Sequence, residues 1–212
     1  LGEKDVSSEA DGSFRYPMLE GDALELQAHA RGFLDSEWTT VAVGQQDVVL
    51  QLNRAGELAV EVLDARGDHV EKGKVWALKE LFGGGIETSH TVKEGDAELL
   101  LPTGRYTLVA EGGGLSGWLH GVELREGERA RVTVVVDQVP AELSIRCTGE
   151  APTFTLVQVW RDGLPVAGTV LTRDKARNVF VPAGRCEVRL VNAELGEVRS
   201  TVVDAVVGAI TT

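Results

Sequence analysis

The chain has 212 residues, 43% of them hydrophobic and 25% charged, with a formal net charge of −12 at pH 7. Those proportions belong to a folded soluble protein rather than a disordered one, and the length admits one large domain or two to three small ones. The charge argues against a nucleic-acid partner, since a phosphate backbone is gripped by clustered Lys and Arg, whereas here bases alternate with acids, as in Arg125-Glu126-Gly127-Glu128-Arg129. No stretch reaches the roughly 18 consecutive apolar residues of a membrane helix.

Taken in chain order, the opening Leu1–Phe14 lacks the basic start and apolar run of a signal peptide. A turn at Asp11-Gly12 leads to the strand Leu24–Ala30, then to Gly32-Phe33, Trp38 and a Val-rich closing strand. Leu58-Ala59-Val60-Glu61-Val62-Leu63 alternates strictly, which places one set of side chains in a core and the other in water. Turns follow at Arg66-Gly67 and Gly95-Asp96, and the glycine runs Gly83–Gly85 and Gly112–Gly114 read as hairpin loops. Arg131-Val132-Thr133-Val134-Val135-Val136 closes this stretch. Beyond a short linker, Asp137–Pro140, come the strand Glu142–Cys147 and the turn Asp162-Gly163. Many short strands and no sustained helical spacing predict an all-β sandwich or barrel.

Three segments align: Leu19–Ala28, Leu101–Ala110 and Val181–Leu190. Their anchoring glycines, Gly21, Gly104 and Gly184, stand 83 and 80 residues apart. A period near 80 residues suits a whole small sandwich. Boundaries fall near 53/54 and 137/138, giving a partial module 1–53, a complete one 54–137 and a divergent one 138–212. The middle copy runs through Glu57–Gly67, Gly73-Lys74-Val75-Trp76-Ala77-Leu78 and Leu101-Pro102-Thr103-Gly104-Arg105-Tyr106-Thr107-Leu108. It resembles the carboxypeptidase regulatory-like repeat, a transthyretin-like sandwich of about seven strands found in bacterial surface and secreted proteins. The resemblance implies tandem Ig-like or transthyretin-like antiparallel sandwiches, an extracellular setting and no catalytic residues to carry over. The third copy departs at Cys186, where the pattern has an aromatic.

The first copy lacks the opening strands that the middle copy shows across 57–81. Three explanations stand: a fragment of a longer multi-module protein, strands supplied by a partner through edge addition, or an extension packed on the second module.

Candidate chemistry is thin. His29, His69, His90 and His120 have no metal-ligand spacing to one another or to a cysteine. Ser116, with His120 nearby, does not match a nucleophile elbow. Asp64 and Asp68 flank a turn without the oxygen series of a calcium loop. Cys147 lies in phase with Leu143 and Ile145, and Cys186 with Val188 and Leu190, so both point to the core of the third module. They are either a disulfide closing a 39-residue loop, worth a few kcal/mol, or a pair of buried thiols. Trp38, Trp76, Trp118 and Trp160 are either packing residues or, if exposed, carbohydrate-stacking platforms, and Trp38 and Trp118 hold equivalent positions in two copies. The expected function is a non-catalytic structural or interaction segment of a larger exported bacterial protein. It would take no cofactor or metal, and would partner a protein or neighbouring modules. The alternative is an accessory carbohydrate- or peptide-binding segment.

Overall fold

The computed structural model describes residues 5–16, 23–80, 86–146, 154–172, 175–192 and 197–211. Among them the chain is all β, sixteen strands and no helix, and it divides into two compact units, Leu1–Asn53 and Arg54–Thr212.

The first unit holds an antiparallel pair, β1 (Ala23–Leu26) and β2 (Thr39–Ala42), in register Ala23↔Ala42 to Leu26↔Thr39. The connection is tied by Ser36. Its Oγ accepts from the Ala28 amide at 2.9 Å and donates to the Glu37 carbonyl at 3.0 Å. The expected Val-rich closing strand does not form: residues 45–53 are irregular, and Val49 is 84% exposed. The reason is a missing partner. In the second unit each closing strand pairs in parallel with an opening strand, and the described residues of the first unit contain none.

The second unit begins with a sandwich of seven strands: β3 (Gly56–Asp64), β4 (Lys72–Lys79), β5 (Ile86–Lys93), β6 (Asp96–Leu101), β7 (Gly104–Gly112), β8 (Leu115–Leu124) and β9 (Arg129–Val136). They run β8-β7-β4-β5-β6-β3-β9, but β5 and β6 share only the pair Lys93↔Asp96, so the ladder folds over there into two layers. At that corner Glu94 (φ 54°) and Gly95 (φ 88°) take the left-handed backbone of a two-residue hairpin turn. A Cβ on Gly95 would stand 1.9 Å from His69 Nδ1. The period-2 pattern of β3 buries Leu58, Val60 and Val62 against Val75 and Ala77 of β4 and Leu108 and Ala110 of β7. β3 pairs in parallel with β9, from Glu57↔Arg129 to Asp64↔Val136.

Seven more strands follow: β10 (Ala141–Ile145), β11 (Phe154–Arg161), β12 (Leu164–Thr172), β13 (Arg177–Val181), β14 (Gly184–Asn192), β15 (Glu197–Ala205) and β16 (Ile210–Thr211). Their sheets are ordered β12-β11-β14-β15 and β13-β10-β16. In chain order this repeats the first sandwich, strand for strand, including the parallel pair β10 with β16. Leu143, Val157, Val159, Val181 and Val188 form its core.

The two sandwiches share a corner. Tyr106 is fully buried and its hydroxyl donates to the Pro102 carbonyl, four residues back, at 2.7 Å. Cys186 takes the same place in the second sandwich, its buried thiol 3.8 Å from the Pro182 carbonyl. A small polarisable side chain with a weak donor thus replaces an aromatic with a strong one.

Candidate functional site

The outer face of the sheet β5-β4-β7-β8 carries the side chains that alternate out of the core. Register places them in rows across β4, β7 and β8: Lys74, Glu111, Ser116, then Trp76, Val109, Trp118. The second sandwich lies against this face. Trp118 packs on the second core and donates its indole N–H to the Val166 carbonyl at 2.9 Å. Beside it Ser116 and Gln138 exchange both backbone hydrogen bonds, at 2.8 and 3.1 Å, which pins the linker to β8. Edge strand β12 rests on β4 and β7.

The contact is incomplete and leaves a groove of about 450 Å³. One wall is Lys74, Trp76 and Leu78 of β4 with Val109 and Glu111 of β7. The other is Val166–Thr169 of β12 with Asn178–Phe180 of β13. Phe180 is 42% exposed at the rim. Burial pushes the Glu111 carboxyl above its ordinary value, and the Lys74 ammonium opposes this. A pocket of this size, mostly apolar with a few polar side chains, has the make-up of a small-molecule site.

One row further along the same face, a β-bulge reshapes β8. Tyr106 pairs with Val122 but Leu108 with Leu119, so Thr107 faces both His120 and Gly121, the latter at φ 73°. Bulges re-aim side chains in this way. Thr107 is fully buried, and its hydroxyl donates to Glu80 Oε1 at 2.9 Å. That hydroxyl is therefore an acceptor for His120 Nδ1, 2.9 Å away, which must carry a proton. Glu80 also accepts from the Gly121 amide at 2.7 Å and from Arg105 Nε at 2.9 Å. Burial holds the His120 imidazole below its ordinary value, and the charge of Glu80 opposes this. Glu80 thus ties Thr107, Gly121 and Arg105 together, and Thr107 in turn holds His120, a network that braces the bulge.

The residues singled out in the sequence are scattered. Trp38, just before β2, is 59% exposed, whereas Trp118 is held in the contact between sandwiches. Cys147 lies outside the described residues, as does the proposed pairing, and so does Gly83–Gly85. Burial pushes the Cys186 thiol up, which suppresses its reactivity. His29 and His90 are exposed, and His69 stands 3.7 Å from Glu61. Ser116 is buried, and its Oγ has no hydrogen-bond partner among the described residues, so His120 does not activate it in this arrangement. The Asp64 carboxylate is occupied by its own turn, accepting from the amides of Arg66 (2.8 Å) and Asp68 (3.0 Å). Those two amides and the Arg66 guanidinium hold its pKa down. No cluster of metal-binding side chains occurs among the described residues. Sequence reasoning had Trp76 among the candidate aromatic platforms but overlooked Lys74 and Glu111 beside it. The available signal was the unbroken apolar run Val75–Leu78, which a strand shows when both of its faces are covered.

No family model matches the chain, and no curated protein does. Among solved structures it is similar to the Bacillus anthracis TIE protein, at 16% identity over 98% of this chain and 44% of that one, with a TM-score of 0.34. It is similar to a leucine-rich repeat protein from Bacteroides thetaiotaomicron, at 16% identity over 74% of this chain and 25% of that one, with a TM-score of 0.36. A DUF3823 family protein from Parabacteroides merdae matches at 12% identity over 72% and 98% of the respective chains, with a TM-score of 0.30. The chain thus spans less than half the length of the first two.

Proposed function

We propose that this chain is a non-catalytic structural and interaction segment, built of successive transthyretin-like sandwiches of which the two in residues 54–212 are held as one stiff body. The observation that carries the reading is the lock at their junction: the Trp118 indole bonded to Val166, with the linker residue Gln138 laddered to Ser116. A spacer needs such a lock, because a linker left free would let the modules swivel. The repeated strand order supports the tandem reading. The exported setting rests on the repeat-family resemblance, and finding the protein in the cytosol of its source would remove it.

The rigidity is tested with spin labels carried by unnatural amino acids at exposed Glu98 and Ala183, one on each sandwich. The expected distance distribution is as narrow as that of a control pair within one sandwich, Glu98 and Arg131. A broad distribution between sandwiches, beside a narrow control, would sink the proposal. A binding role beyond the spacer is favoured by the groove that the lock creates.

A further inference from the structure

We propose that the groove between the two sandwiches binds a neutral saccharide, with a pyranose ring stacked on Trp76. The inference rests on the locked junction just described, because either sandwich alone offers only one wall.

Three polar groups converge on the groove without a hydrogen bond or ion pair among the described residues: the Trp76 indole N–H, the Lys74 ammonium and the Glu111 carboxylate. Trp76 is half-buried, and its indole N–H stays available to a ligand, whereas those of Trp118 and Trp160 are bonded within this fold. Lys74 is exposed, whereas Glu111 is half-buried and its partial desolvation raises its pKa, a cost that a hydrogen-bonding ligand would offset. Two donors and one acceptor in one cleft call for a ligand whose groups both accept and donate, and sugar hydroxyls do so.

Charge then narrows the choice. Lys74 and Glu111 face each other across β4 and β7 and cancel, and the chain as a whole carries −12. An anionic ligand is repelled by that field, and a cation gains nothing from a balanced pair. The aromatic surfaces of Trp76 and Phe180 suit the apolar C–H face of a pyranose. A peptide would most simply add to the open edge of β12, but that edge rests on β4 and β7 and gives its Val166 carbonyl to Trp118. The volume, about 450 Å³, sits within the range of small-ligand pockets.

The test follows the indole N–H signals of the full-length chain by NMR, with Trp76 assigned by its loss in Trp76→Phe. The probes are maltotriose, cellotriose, mannotriose and xylotriose, each to ~10 mM, with a hyaluronan tetrasaccharide and trialanine as comparisons. The expected result is a saturable shift of the Trp76 signal by at least one neutral trisaccharide, with Kd of about 1 mM or tighter. Glu111→Gln and Lys74→Met, which leave both cores intact, should each weaken it several-fold, and Trp76→Ala by at least ~10-fold. No shift from any neutral probe overturns the proposal. So does a shift only with hyaluronan or trialanine, or one that leaves Trp76 unmoved. The spin-label distances on the same protein separate the two readings. A narrow distribution without sugar binding removes this inference alone, and a broad one removes the junction on which it stands.

Discussion

Replacing Trp118 by alanine should unlock the sandwiches while leaving each of them folded. The indole packs on the second core, yet its backbone belongs to β8 of the first sandwich, so its loss falls on the junction. A tryptophan buries on the order of 150–250 Å². At about 25 cal/mol per Å², and with part of Trp118 still facing solvent, burial contributes roughly 3–4 kcal/mol. The bond to the Val166 carbonyl adds about 1 kcal/mol. Trp118→Ala should therefore cost about 4 kcal/mol, and Trp118→Phe, which keeps most of the area, about 1–2 kcal/mol. Native-state hydrogen exchange at rising urea, read peptide by peptide, reports this directly. In the parent protein the most protected amides of β3–β6 and β11–β14 should share one opening free energy and one urea dependence. In Trp118→Ala they should separate into two. If the two sets stay coincident, or if alanine costs no more than phenylalanine, the junction is not held by this side chain.

Three further outcomes follow from single residues. Tyr106→Phe should lower stability by about 1–2 kcal/mol, or a few degrees in Tm, by stranding the Pro102 carbonyl; a change within error in urea denaturation would mean that the corner bond contributes nothing. Gly95→Ala should cost more than 1 kcal/mol, since it adds positive-φ strain to a clash with His69, and His69→Ala in the same chain should recover part of that loss. Because the folded pKa of His120 is depressed, its contribution is fully present above the ordinary value of 6.5 and is lost as pH falls below it. The stability of the parent relative to His120→Gln should therefore decline between pH 7 and pH 5, and a flat difference would contradict the partial desolvation of the imidazole.

Much of the strand content was legible because it is local. The alternation of Leu58, Val60 and Val62 is a property of nine consecutive residues, and it appears as β3. Asp162-Gly163 and Gly113-Gly114 form turns because both central residues of such hairpins need positive φ, which Gly, Asn and Asp tolerate best. The motif Leu101–Tyr106 likewise marked a corner, and the aligned Val181–Cys186 marked its counterpart despite the exchanged side chain.

The misjudged elements depend on partners distant in sequence. Val48–Leu52 has strand composition, but a closing strand needs an opening strand beside it, as β9 has β3, and composition does not carry that requirement. Trp38 and Trp118 aligned as equivalents, yet only Trp118 is gathered into a contact between sandwiches. The network of Glu80, Thr107 and His120 spans a one-residue slip in the ladder between β7 and β8, which no periodicity announces. By itself, then, the sequence determined much of the strand and turn content and the inward phase of strands such as β3, since backbone freedom and side-chain alternation act over a few neighbours. Tertiary structure decided which outward faces were covered and that Lys74, Trp76 and Glu111 share a groove with Phe180. Those relations depend on the register between strands and on one sandwich settling against another, and both are set by packing between residues a hundred positions apart.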